Sequence, residues 1–169
     1  MMEFVYAYAY FVLYAFLGWV CEDLYCGIPA KKFINRGFFY GPYCPIYGVG
    51  ALLVLYPLLF VKDYPILVFV LGVIITSTLE YITSWVMEIL FKTRWWDYSE
   101  RFMNINGRVC LLNSTLFGIM SIVVVYIIHP VIQDIVMDIP FTALMSFLSA
   151  FTIGFGIDCV FTVLALLRR

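Results

Sequence analysis

The chain has 169 residues, of which 64% are hydrophobic and 12% charged, with a formal net charge of -1. Soluble domains are about half apolar and about a quarter charged, so this composition excludes a water-soluble fold and reads as an all-α integral membrane protein. The small net charge argues against a nucleic-acid partner. Five cysteines at 21, 26, 44, 110 and 159, with no CxxC spacing, read as free thiols and not as a disulfide frame.

A hydrocarbon core about 30 Å thick takes roughly 20 apolar residues of helix. Five transmembrane helices are expected, within a single transmembrane domain covering 1–169. The first runs from about Phe4 to Tyr25. It lacks a basic leading region, and Glu22-Asp23 stands where a small-residue cleavage site would fall, so it reads as a span and not as a signal peptide. Gly27-Ile28-Pro29 is its expected end.

The second span runs from about Gly41 to Val61 and is approached by Asn35-Arg36-Gly37-Phe38-Phe39-Tyr40-Gly41-Pro42-Tyr43-Cys44-Pro45-Ile46-Tyr47-Gly48. Prolines and glycines at this density break a regular helix and let backbone approach closely. Broken backbone at membrane depth is tolerated where it is buried in protein or lines a cavity. Arg36, Tyr40, Tyr43 and Tyr47 are therefore candidate binding residues. The alternative is an interfacial turn carrying an aromatic belt.

The third span, about Pro65 to Phe91, follows Lys62-Asp63-Tyr64 and carries Thr76, Ser77, Thr78, Glu80, Ser84 and Glu88. Glu80, Ser84 and Glu88 are spaced i, i+4, i+8 and share one helix face. An ionised carboxylate at the depth of Glu80 costs at least about 2.5 kcal/mol. It therefore faces protein or water, pairs with a base, or is protonated. Two readings stand: a hydrogen-bonded clamp between helices, or a proton relay, ion ligand or catalytic acid.

Between Lys92 and Ser114 lies a dense polar and aromatic island. Trp96, Asp97, Tyr98, Asn106, Arg108 and Ser114 are its candidate site residues. Trp95 and Trp96 also suit an interface anchor, Asp97 or Ser99 a helix cap, and Asn106-Gly107 a turn. Arg108, beside apolar Val109, has the fork geometry to grip a carboxylate or phosphate. The fourth span runs from about Val109 to His129 and is expected to end at His129-Pro130, with His129 interfacial. The fifth runs from about Ile139 to Leu167. The third and fifth exceed the needed length and are expected to tilt or project. Glu22 and Asp158, with Glu88, are available to neutralise Arg36 and Arg108. Gly48-Val49-Gly50 and Gly154-Phe155-Gly156 suit close helix packing.

Charge sets the orientation. With five spans, Lys31, Lys32, Arg36, Lys92, Arg94, Arg101, Arg108, Arg168 and Arg169 fall on one side, leaving only Lys62 of the ten basic residues on the other. Lys and Arg stay cytoplasmic, so the N-terminus is expected outside and the C-terminus inside. The expected outer loop from Pro130 to Pro140 carries Asp134 and Asp138 and no basic residue. No GxxxxGK[ST], HExxH or GxSxG pattern occurs. No cofactor and no metal site are expected.

Four blocks together carry a family resemblance: Asn35 to Gly48; Leu79-Glu80-Tyr81; Trp96-Asp97-Tyr98-Ser99; and Asn106-Gly107-Arg108-Val109-Cys110-Leu111 with Ser114, Phe117 and Gly118. They resemble the type IV ABC-transporter permease family of CmpB-like bacterial membrane proteins, over about Tyr14 to Gly118 and loosely beyond. The resemblance implies a small transport component of the bacterial plasma membrane. A separate ATPase or other membrane subunit is the expected partner, and a homo-oligomer is compatible. On that reading Glu80 lies on the pathway, and the Gly/Pro-rich approach to the second span forms an inner vestibule.

Two alternatives stand beside it. A membrane enzyme acting on a lipid or isoprenoid phosphate at the cytoplasmic face would use Arg36 and Arg108 for phosphate, with Asp97, Glu88 or Glu80 as acid or base. The gathering of polar residues at one interface favours it. An assembly subunit, with the island binding another protein, is the third.

Overall fold

A computed structural model describes residues 2–31 and 38–167, apart from the side chains of 25–27, 29 and 30. Lys32, Arg36, Arg168 and Arg169 lie outside the described residues. The fold is helical: α1 (Met2–Ala30), α2 (Pro45–Leu58), α3 (Pro65–Phe91), α4 (Leu111–Val123), α5 (His129–Asp138) and α6 (Phe141–Leu167). Among the described residues there is no strand, only an isolated antiparallel bridge between Ile105 and Val109. Among the described residues, four stretches are long and apolar enough to cross a membrane: Met2–Leu24, Pro65–Phe91, Leu111–Asp138 and Phe141–Leu167. Pro45–Val61 is apolar but shorter.

Three boundaries differ from expectation, each for a local reason. Helix α1 passes through Gly27 and Pro29, the proline withdrawing one backbone donor within its last turn. It closes at Lys31, whose φ of 51° is left-handed and whose N–H reaches the Ile28 carbonyl at 3.3 Å. Helix α2 begins at Pro45, not Gly41, since a proline is pre-set for a first helical position. Residues 38–44 are non-helical, and Leu59–Val61 continues α2 as a tighter 3₁₀ turn.

The third difference is the largest. His129-Pro130 does not end the fourth span. Pro130 can donate no hydrogen bond, and its ring crowds the carbonyl four residues back. The helix absorbs this by widening just upstream: Val124–Ile128 is a π turn, and the His129 N–H bonds the Val124 carbonyl. The helix then continues as α5 to Asp138. The stretch expected as a loop from Pro130 is therefore mostly helix, and only Ile139-Pro140 separates α5 from α6.

The chain divides into two compact units. The first comprises Met1–Val49 and Gln133–Arg169. In it α1 buries Ala9, Val12, Tyr14 and Ala15, while Val136, Leu144 and Leu148 are buried on α5 and α6. The Tyr8 and Thr152 hydroxyls hydrogen-bond at 2.8 Å. Phe39, Tyr43, Phe151 and Phe155 form an aromatic cluster, with Phe39 and Phe155 ring centres 5.2 Å apart. Gly18 sits under the Tyr47 ring and Gly48 under Phe11, so neither position has room for a side chain.

The second unit is Gly50–Ile132. Val54, Leu55, Leu58, Val68, Val124 and Val125 form its buried interior. Here α3 and α4 are an antiparallel hairpin held at small residues. Gly72 faces Ser121, Gly118 faces Phe69 and Val73, and the Ser77 hydroxyl donates to Ser114 at 2.7 Å. Small side chains let membrane helices approach closely enough for dispersion and polar contacts to hold them. The register has a consequence. With Ser77 opposite Ser114, residues 81–91 of α3 project past the start of α4 by about 16 Å, at 1.5 Å per residue. The connecting loop covers that overhang.

Candidate functional site

The loop from Lys92 to Cys110 is tightly self-bonded. Lys92, φ 54°, terminates α3 with its N–H on the Glu88 carbonyl. The Tyr98 N–H donates to the Gly107 carbonyl at 2.7 Å, and the Ile105 N–H to the Val109 carbonyl at 3.0 Å. The Asn104 amide donates to the carbonyls of Ser99 and Arg101, and its oxygen accepts from the Gly107 N–H. Met103, Asn106 and Gly107 take left-handed φ values of 50°, 54° and 69°. Gly107 is required on two counts, because a Cβ there would also collide with Asp97 and Ser99. A loop that satisfies its own backbone groups in this way can lie against a membrane helix without stranding them.

This loop delivers side chains back onto α3. The Tyr98 hydroxyl donates to Glu80 Oε1 at 3.2 Å. Asn106 Nδ2 donates to the Tyr81 hydroxyl at 2.8 Å. The Arg108 guanidinium lies 5.5 Å from the Tyr81 ring centre, a cation–π approach. Arg108 also pairs with Glu88 Oε2, while Arg94 Nε donates to Glu88 Oε1 at 2.9 Å. Glu88 is therefore gripped by two guanidinium groups. The Trp96 indole N–H donates to the Arg108 carbonyl at 3.0 Å, fixing the backbone from which Arg108 extends.

Burial grades along the predicted face. Glu80 is 6% exposed and Ser84 4%, whereas the Glu88 side chain is 31% exposed. The i, i+4, i+8 reading of this face thus corresponds to a line from interior to rim. Asp97 sits at the rim, where Oδ1 accepts from the Ser99 hydroxyl at 2.5 Å and the Ser99 N–H at 2.9 Å. Those two bonds, with Arg94 3.8 Å away, hold the Asp97 carboxyl below the usual carboxylate range. The hydrogen bond to Glu88 likewise raises the Arg94 guanidinium.

The first unit holds a separate polar cluster. Asp158 on α6 receives the Tyr40 N–H at 3.2 Å, the Gly41 N–H at 2.8 Å, the Tyr43 hydroxyl, and the Thr162 hydroxyl at 2.9 Å. Four donors saturate the carboxylate, so it acts as a clamp that folds the 38–44 turn onto α6. Burial, then the bond to Asp158, pushes the Tyr43 phenol up. The Cys44 N–H bonds the Ala15 carbonyl at 2.9 Å, and burial pushes its thiol up to about 11. Tyr47 donates to Glu22 at 2.5 Å.

The expected residues are thus placed in two groups. Tyr40, Tyr43 and Tyr47 meet Asp158 and Glu22 in the first unit. Glu80, Ser84, Glu88, Trp96, Asp97, Tyr98, Asn106, Arg108 and Ser114 lie in the second, with Ser114 serving the helix contact through Ser77. Arg36 falls outside the described residues. Of the acids available to neutralise Arg108, Glu88 is the one observed, whereas Asp158 binds hydroxyls and amides. Two contributors were not singled out from the sequence. Arg94 carries only the signal of a cation six residues after Glu88, and Tyr81 only its position beside Glu80.

Four membrane-length helices among the described residues, with polar side chains gathered where a returning loop covers one of them, define a multi-pass helical membrane protein. The chain belongs to the family described as "Putative ABC-transporter type IV", whose model matches residues 9–163. That match takes in every described candidate residue from Tyr40 to Ser114. Comparison with curated proteins and with solved structures returned no match.

Proposed function

We propose that the chain is the membrane-spanning component of an ABC-type transporter, with five spans, the N-terminus outside and the C-terminus in the cytoplasm of a bacterial cell. Pro45–Val61 is the short fifth span. Nine of the ten basic residues then share the inner side, with Lys62 alone outside. The Lys92–Cys110 loop is cytoplasmic, and the polar site opens inward. The chain has no phosphate-binding GxxxxGK[ST] loop, so ATP is hydrolysed by a separate subunit, and the chain works beside it or as an oligomer.

The observation that carries this reading is Glu80: a buried carboxylate within a membrane-length helix, covered by Tyr98 from the loop. Intramembrane acids at such cost mark ion or substrate paths. The test is purification of the intact complex from its native membrane and reconstitution in vesicles. An ATP-hydrolysing subunit co-purifies, and Glu80→Gln lowers transport-coupled hydrolysis at least tenfold while Glu80→Asp retains part of it. Absence of any hydrolysing subunit, or full coupling in Glu80→Gln, contradicts the proposal.

A second reading, a lipid or isoprenoid phosphate enzyme, draws on the Arg94–Glu88–Arg108 grouping beside Asp97 at one end of α3. Substrate turnover by the chain without a partner subunit would favour it.

A further inference from the structure

A groove of about 240 Å³ lies between α3 and the returning loop, lined by Ser77, Thr78, Tyr81 and Ile82 on the helix and by Ile105 and Val109 on the loop. Its lining combines branched aliphatic side chains with the hydroxyl-bearing Ser77, Thr78 and Tyr81. Thr78 and Ile82 are exposed, and they belong to a stripe with Ile74, Trp85 and Ile89, all about half exposed and spaced along one face of α3. That stripe runs along a membrane-length helix, where the medium against an outward apolar face is acyl chain. The groove is a notch midway along this track.

The notch also has a polar point. The Tyr81 hydroxyl accepts from Asn106, yet its own proton meets no acceptor among the described residues. The phenol is held in place from two sides, by Asn106 and by the Arg108 guanidinium over its ring. A donor fixed at the lip of an apolar notch, where the returning loop meets a membrane-length helix, can be met by a ligand that supplies an acceptor beside its apolar part. The ligand chemistry that combines long apolar chains with a hydrogen-bond acceptor at their head is the ester carbonyl of a glycerophospholipid.

We infer that this notch is a binding site for one membrane phospholipid, with its ester carbonyl accepting from Tyr81 and an acyl chain running from there past Thr78 toward Ile74. The site is independent of whether the chain transports. It also joins lipid to the loop that covers Glu80, because Ile105 and Val109 form the loop's antiparallel bridge.

The test is native mass spectrometry of the purified chain titrated with dioleoyl phosphatidylglycerol and with its diether analogue, which lacks the carbonyls. Wild type is expected to retain one diester lipid and to bind the diether about tenfold more weakly. Tyr81→Phe should weaken the diester about tenfold and leave the diether unchanged. Thr78→Phe and Ile105→Trp, both at exposed positions that tolerate bulk, should abolish retention, whereas Ile153→Trp on exposed α6 should not. Unchanged melting temperatures verify that each variant is folded. Equal binding of diester and diether by wild type, or wild-type retention in Thr78→Phe, overturns the inference.

Discussion

Tyr98 and Glu80 are eighteen positions apart in sequence, yet the phenol of one donates to the carboxylate of the other at 3.2 Å. This bond ties a water-side loop to the interior of a membrane helix. It makes the loop a cover for Glu80 and not only a connection between α3 and α4. Tyr98→Phe removes the donor and keeps the ring. It should destabilise the folded chain by about 1–2 kcal/mol, measured by chemical denaturation in detergent, and should raise amide exchange from residue 97 to 107. Unaltered exchange would mean that the loop is held without this bond.

The Glu88 carboxylate has two arginine partners of unequal burial. The Arg108 side chain is 12% exposed and the Arg94 side chain 34%. Water screens the more exposed pair, whereas a pair in a drier setting couples more strongly. A double-mutant cycle should therefore give a larger coupling for Glu88–Arg108 than for Glu88–Arg94. Arg108→Lys should not restore it, since an ammonium lacks the planar fork and stacks less well on Tyr81. Equal couplings would contradict the assignment of Arg108 as the principal partner.

Glycines divide into those with neighbours and those without. A Cβ at Gly72 or Gly118 would overlap Ser121 or the Phe69 and Val73 side chains, while at Gly154 and Gly156 nothing lies within 4 Å. Gly72→Ala and Gly118→Ala should each cost about 1–3 kcal/mol through overpacking of the α3–α4 hairpin. Gly154→Ala should be neutral or stabilising by up to about 1 kcal/mol, because alanine is the better helix former. Thermal melts of the three variants decide it. Gly107→Ala belongs with the costly group, for it meets both a left-handed φ of 69° and the Asp97–Ser99 pair.

Much of α3 was legible in the sequence. The apolar run from Pro65 to Phe91 has charges at both ends, and the i+4 spacing of Glu80, Ser84 and Glu88 fixed their common face. Sign and depth made Glu88 one of three acids available to Arg36 and Arg108, and the structure pairs it with Arg108. The continuation through Pro130 was not legible, because it depends on a π turn that reroutes the His129 N–H, and no residue type announces that. Nor was the role of Asp158. Its donors at 40, 41 and 43 lie more than a hundred positions away, and only the folded chain brings them to α6. The direction of Tyr98 was hidden for a similar reason, since it depends on the backbone bond from Tyr98 to Gly107 and on the left-handed Met103, Asn106 and Gly107 in the loop.

Asp97 gives the loop a defined response to acid. Its folded carboxyl is held below the usual range by Ser99 and Arg94. A depressed carboxylate contributes stability above its unfolded value and loses it as pH falls through the folded one. The Asp97–Ser99 turn should therefore be insensitive between about pH 5 and 8 and should loosen only below the ordinary carboxylate range. Hydrogen exchange of amides 97–107 across that interval checks this, and Asp97→Asn should abolish the acid transition. Loosening near neutrality would point to a different titrating group.

The orientation of the loop is the point on which the transport reading stands. In a chain with its cysteines replaced, Met103→Cys at the exposed tip of the loop can be labelled with a membrane-impermeant maleimide in vesicles of each orientation. Met103→Cys should be labelled in inside-out vesicles only, and Asp138→Cys in right-side-out vesicles only. Labelling of Met103→Cys from the outside would place the Glu80 site on the wrong face and contradict the account.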